Sequence, residues 1–336
     1  MVVRVSQQES SDRHMRQMAG FLKVRFGELN LHDIYDPRGK QGRHKWSHVT
    51  LVKSILVGMG SGCKSLRDTE RRSEYFNKAI CRLIDTGRRV PDTTMRDLVC
   101  KLRPDDIRQC IKNSIDAAEK RGILKPVGLP MGVVSMDGKY TTLPVSDDDG
   151  YVQSRTHKAT GDSYGMIRTM TAMLISAMGR PVLDAEPIPA NTNEAGHFQT
   201  AFTKLCASYG HLFELLVYDA GITFFENAWA IVKAGKHYLL HVKNECHEIH
   251  KLIVGCFESS VSRLYAETTD IMSKERKIIR RATVIDVKDC PHLNREPGFW
   301  SHAKTLVKVE AFEVLPGGVV TLTHDSNGTL VLVSSQ

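Results

Sequence analysis

Apolar and polar positions divide the chain into a helical first third and a longer region where strands alternate with helices. From His48 to Gly58 the apolar residues Val49, Leu51, Val52, Ile55, Leu56 and Val57 recur at helical spacing, and Gly58, Gly60 and Gly62 then break the pattern. A second helix is predicted from about Ser65, carrying Leu66, Arg67, Arg71, Arg72, Tyr75 and Phe76. A third is predicted at Pro91–Thr94, where Thr94 and Asp97 stand in capping-box spacing ahead of Leu98, Val99 and Leu102.

After Arg121-Gly122 the texture changes, and Pro126 to Pro130 reads as a linker into a β-rich region. Strands are predicted at Gly132–Met136, around Met166–Met178 and at Val182–Ile188, followed by a helix over Glu194–Tyr209. Leu212–Tyr218 is almost wholly apolar, as a central parallel strand covered on both faces should be. A helix at Phe224–Ala234, a strand at His237–Val242 and a helix at Glu245–Phe257 follow, and then strands near Ile278–Val287, Leu306–Leu315 and Leu330–Ser334. This order implies an α/β chain with a mixed sheet flanked by helices. Three regions are expected: a small all-helical domain over 1–125, an α/β core over 126–257, and a β-rich insertion over 258–336.

Charge sharpens the division. Residues 1–125 hold 26 Lys or Arg against 15 Asp or Glu, whereas the remainder holds 20 against 23. A basic first part joined to a mildly acidic second part suggests that the helices meet a polyanion, since phosphate contacts are the largest sequence-independent contribution to nucleic-acid affinity. Three short helices around a Gly-rich turn, each flanked by basic residues, fit a helix-turn-helix module. Overall the chain has ordinary globular composition, 41% hydrophobic and 25% charged, and no run of about 18 apolar residues. Met1–Gly20 lacks the continuous apolar segment of a signal peptide, so a soluble protein of the cytoplasm, without membrane partners, is expected. The eight cysteines include no Cys-x-x-Cys pair and fit reduced thiols. Cys246, His247, His250 and Cys256, with Cys290 and His292 beyond them, are the nearest approach to a zinc set; one helix face shared by Cys246 and His250 explains their spacing equally well.

Two aspartates carry the candidate chemistry. Asp137 follows the apolar run from Met131 to Met136, and Asp219 follows Leu215–Tyr218, so each carboxylate is expected at the carboxyl end of a strand. Ligands of open α/β sheets gather outside those ends, so the pair can converge on one site. Carboxylates suit Mg2+ or Mn2+, which prefer hard oxygen ligands, and two such ions can activate an attacking hydroxyl and stabilise a leaving oxygen on phosphorus. Asp137 and Asp219 are therefore the candidate catalytic and metal-binding residues.

The run from Val133 to Lys139, centred on Asp137-Gly138-Lys139, resembles the first-acid strand of DDE-type insertion-sequence transposases. Leu174–Ala177, Asn191–Glu194, Val217–Ala220 and Tyr238–Asn244 agree with that family in order and spacing, and Ser65–Glu70 and Pro91–Arg96 resemble its amino-terminal region. The likeness covers roughly residues 35–336. It implies a ribonuclease H-like core and metal-dependent DNA strand cleavage and transfer at transposon ends, usually by a homodimer. In the family two metals are held by Asp, Asp and Glu; Asp137 and Asp219 map onto the first two acids. Asn193 and Glu194 map onto an Asn-Glu motif with a positional role, and Glu194 also reads as a first-turn acid complementing a helix dipole.

The third acid is expected on a helix after the β-rich insertion, beyond Gln336, which would make this an incomplete copy with little cleavage activity. An internal alternative is Glu267, which with Arg263 and Lys274 reproduces an Arg-x3-Glu-x6-Lys spacing around the catalytic Glu of related enzymes; Glu245 and Glu248 are weaker candidates. A solvated charged face is the better explanation for all three. A reading from a different class is a non-catalytic DNA-binding remnant that represses transposition.

Overall fold

The computed structural model describes residues 17–39, 45–144, 150–243, 247–273, 276–290, 293, 300–314, 320–322 and 329–334. The chain forms two compact units, Met1–Gly122 and Ile123–Gln336.

Every regular element described in the first unit is helical: α1 (17–29), α2 (His48–Gly60), α3 (Leu66–Ser73), α4 (Lys78–Leu83), α5 (Asp92–Val99) and α6 (Pro104–Lys120). The starts are set by side-chain caps, with Ser47, Ser65 and Asn77 accepting from the backbone N–H of Thr50, Asp68 and Ile80. Helix α5 starts at Asp92, inside the predicted Pro91–Thr94, and without a side-chain cap from Thr94. Pro91 is its N-cap, and the ring-fixed φ of −65° presents an extended residue ahead of the first turn. Leu51, Ile80, Ile84, Val90, Met95 and Leu98 are fully buried in the core of this unit. Gly58 lets α2 lie directly against α3, because a Cβ there would fall 2.3 Å from Thr69 Oγ1.

The second unit is mixed α/β. Its elements are β1 (Val133–Leu143), β2 (Gln153–Thr156), β3 (Ser163–Leu174), β4 (Val182–Ile188), α7 (Glu194–Tyr209), β5 (Leu215–Tyr218), α8 (Phe225–Lys233), β6 (His237–Val242), α9 (His247–Ser259), β7 (Arg263–Ser273), β8 (Arg276–Asp286), β9 (Thr305–Val314), β10 (Val320–Leu322) and β11 (Thr329–Val333). They build one mixed sheet in the order β2-β3-β1-β5-β6-β11-β9-β8-β7, with β4 also on β3 and β10 on β9. Strands β1, β5 and β6 run parallel, and the remaining pairings are antiparallel. Helices α7 and α8 pack on β4 and β6. Strands β7, β8, β9 and β11 of the region expected as a β-rich insertion belong to this sheet, because β11 docks antiparallel on β6 and carries β9, β8 and β7 outward. Burial of Leu330, Val331 and Leu332 drives that docking.

Next to this junction lies an aromatic cluster around the buried Tyr238 and His302. Tyr238 on β6 shares a 2.7 Å hydrogen bond with His302 Nδ1, and the imidazole sits among Phe225, Trp229 and Trp300. Burial pushes the His302 pKa down to about 4. The folded state therefore keeps this imidazole neutral where an unfolded chain, with the ordinary value near 6.5, takes up a proton. Stability should fall as pH drops from 6.5 towards 4, by on the order of 2 kcal/mol from this residue. Denaturant unfolding at both pH values should show that loss, and His302→Gln should remove it.

Candidate active site

The parallel ladder between β1 and β5 places Val133, Val134 and Ser135 opposite Leu215, Leu216 and Val217. Two residues beyond the last pair stand Asp137 and Asp219, so the same register brings the aspartates abreast on adjacent strands. Asp137 is not the last residue of its strand, as the sequence suggested. Strand β1 runs on to Leu143 because β3 continues as its antiparallel partner, with Asp137 opposite Thr171. The carboxylate thus lies just past the parallel ladder rather than at the strand end. Asp219 follows β5 directly, and its Oδ1 accepts the Gly221 N–H at 2.9 Å. Side-chain exposures of 49% for Asp137 and 53% for Asp219 leave both carboxylates open to a ligand.

The structure adds Glu194 to this pair. Asn193 caps α7 by accepting the Gly196 N–H at 2.9 Å, and Glu194 is the first residue of that helix. Its first-turn position suits the helix dipole as expected, but its carboxyl group also lies over Gly138. A Cβ on Gly138 would come within 2.0 Å of Glu194 Cδ and Oε1. Likewise, Asp219 Oδ1 and Glu194 Oε2 both fall within 3.4 Å of the position a Cβ on Gly221 would take. Tyr218, the last residue of β5, donates its hydroxyl to Glu194 Oε2 at 3.4 Å. The sequence did hold a signal for this approach, a glycine immediately after Asp137.

Electrostatics record the crowding. Burial first, and then the charges of Asp219 and Asp137, raise the Glu194 pKa above its ordinary value; the Tyr218 hydrogen bond and Arg168 act in the opposite sense. Burial and the same three carboxylates hold the Tyr218 hydroxyl firmly protonated. Two lysines answer the negative charge, Lys139 bonding the Asp137 carboxylate and Lys243 Nζ standing 3.6 Å from Asp219 Oδ2. With these pairings, no three His, Cys, Asp or Glu side chains among the described residues are placed to hold one metal ion. Carboxylate oxygens nonetheless suit a hard divalent cation, and Asp137 and Asp219 are exposed enough to turn from lysine to a ligand.

Gly138→Ala tests the cradle. The added methyl would meet only the end of a flexible side chain, so the fold should survive while the Glu194 carboxyl is displaced. Unchanged thermal unfolding with Mn2+ affinity at least threefold weaker, measured by calorimetry, is the expected outcome.

The other candidates lie elsewhere or outside the described residues. Glu267 sits on β7 at the far edge of the sheet, paired with Arg281 at 2.5 Å. Five strand spacings separate β7 from β5, roughly 24 Å, so Glu267 does not reach the aspartates. Glu248 is exposed in the first turn of α9, and Glu245 lies outside the described residues, as do Cys246 and His292. Cys256 and Cys290 are buried free thiols in contact, and burial pushes Cys256 up to about 12.

No family model matches the chain, and no curated protein matches it. No helix among the described residues is long and apolar enough to cross a membrane.

Proposed function

We propose that the chain is a DDE-type transposase with a ribonuclease H-like core, acting on DNA phosphodiesters at transposon ends with Mg2+ or Mn2+. The observation that carries the reading is the shared register that sets Asp137 abreast of Asp219 on parallel strands, with Glu194 over the same spot. Asp137 and Asp219 would hold the metal, and Glu194 would stand beside them as a third carboxylate. The cation, when bound, supplies Lewis acidity and a nucleophile at neutral pH. The chain's own residues orient it: Gly221 N–H fixes one Asp219 oxygen, and the Tyr218 hydroxyl fixes one Glu194 oxygen. Lys139 and Lys243 are placed to pass from the aspartates to phosphate oxygens as the substrate arrives. The helical first unit, with its excess of basic residues, supplies phosphate contacts along the duplex, and the acting form is a dimer.

One observation favours a second reading. The lysine pairing neutralises both aspartates without metal, as a non-catalytic DNA-binding protein that represses transposition would allow. Incubation of the full chain with labelled DNA bearing the element's ends, with and without Mn2+, separates the two. Mn2+-dependent strand cleavage is expected; binding without cleavage at any Mn2+ concentration would establish the second reading instead.

A further inference from the structure

Beside the carboxylates lies a second polar feature that the proposed chemistry leaves unused. Strand β2 pairs with β3 so that Arg155 stands opposite Tyr164 and Gln153 opposite Met166, and Gln153 Nε2 reaches the Ala190 carbonyl at 3.5 Å. The hairpin edge and the loop after β4 thereby enclose an open pocket of about 400 Å3, lined by Gln153, Arg155, Arg168, Asn191, Thr192 and Asn193. Its last lining residue immediately precedes Glu194, so the pocket adjoins the carboxylate site.

The two arginines are held in an unusual way. Arg155 donates through Nε and Nη2 to the neutral Gln153 Oε1 at 3.1 and 2.8 Å, and Arg168 Nη2 donates to the neutral Thr192 carbonyl. Among the described residues neither has a carboxylate within ion-pair distance, and Arg168 acts on Glu194 only from further away. A guanidinium fixed by neutral acceptors keeps its whole charge and presents its remaining N–H donors to whatever enters. Two of them on one pocket, with Asn side chains beside them and Ala190 as the apolar residue of the lining, select an anion with several oxygens over an apolar or cationic ligand.

We propose that this pocket is a phosphate subsite that takes a backbone phosphodiester of the DNA strand, next to the one presented to Asp137, Asp219 and Glu194. The subsite rests on the reading of those carboxylates as a DNA-processing site. It sets which phosphate meets the carboxylates, because the strand is pinned one step away by rigid, planar donors.

The test uses the full chain, a fluorescein-labelled DNA duplex and metal-free buffer with chelator, so that binding is read apart from cleavage. Arg155 is exposed on an edge strand, and its replacement leaves the core untouched. Arg155→Gln should weaken binding about tenfold and lower the slope of log affinity against log salt by about one. Arg155→Lys should restore the slope but not the full affinity, since an ammonium replaces the charge without the fork. Arg168→Gln, checked for an unchanged melting temperature, should match Arg155→Gln. Wild-type affinity and slope in both glutamine variants, with Mn2+-dependent cleavage intact, would overturn the subsite and leave the carboxylate reading standing. Failure of the wild-type chain to bind DNA even at low salt would overturn both.

Discussion

Asp137→Asn is expected to slow Mn2+-dependent DNA cleavage by about 1000-fold, a barrier increase of roughly 4 kcal/mol. The substitution keeps the shape of the side chain and the β1–β3 pairing, and it removes the charge that a hard cation requires. Because the side chain is half-exposed, the fold loses little. Asp137 is also one of three crowded carboxylates, so losing its charge relieves repulsion on Glu194 and should leave the melting temperature unchanged or slightly raised. That combination, activity lost and stability kept, marks a group retained for chemistry at some cost in stability. Cleavage within threefold of wild type would remove Asp137 from the mechanism.

Gly132→Val is expected to destabilise the second unit by about 4 kcal/mol. Gly132 is buried where β1 begins, its N–H bonds Glu214 Oε2 at 2.7 Å, and its carbonyl accepts the N–H groups of Glu214 and Leu215. A Cβ there would fall 2.1 Å from the Leu212 carbonyl oxygen and 2.7 Å from Phe213 Cα. Both are backbone atoms, which cannot swing aside as a side chain can, so the β1–β5 ladder itself must shift. The same ladder sets Asp137 beside Asp219, so the variant should lose Mn2+ affinity together with stability. Urea unfolding followed at Trp229 and Trp300 measures the first, and calorimetry on the folded fraction the second.

Much of the second unit was legible in the sequence because its elements are locally decided. Strands β4 and β6 and helix α7 have the bounds their patterns predict, and α7 begins at a true side-chain cap, Asn193. Strands β2 and β7 were not legible as strands. Arg263–Ile271 on β7 is exposed throughout, so no buried face imposes alternation, and the strand is held by ladder bonds and ion pairs such as Asp270–Arg280. Strand β5 is shorter than its apolar run because Gly210–Leu212 turns as a 3-10 helix. The place of β11 between β6 and β9 was also out of reach, since residues about 90 positions apart in sequence pair there without any local mark.

The aspartates could be read because each closes an apolar run. Glu194 could not be assigned a neighbour, since its first-turn position is explained by the helix dipole alone and only the folded chain brings its carboxyl over Gly138. Glu267 shows the opposite case, a spacing that imitates a catalytic motif on an exposed strand face, where it pairs with Arg281 at the far edge of the sheet.

Calorimetric titration of the full chain with Mn2+ tests, without need of a DNA substrate, whether Asp137, Asp219 and Glu194 together hold a divalent cation. Saturable binding is predicted, weakened at least tenfold in Asp219→Asn and in Glu194→Gln while Glu267→Gln binds as the wild type does. Absence of binding, or equal binding by all four proteins, would contradict it.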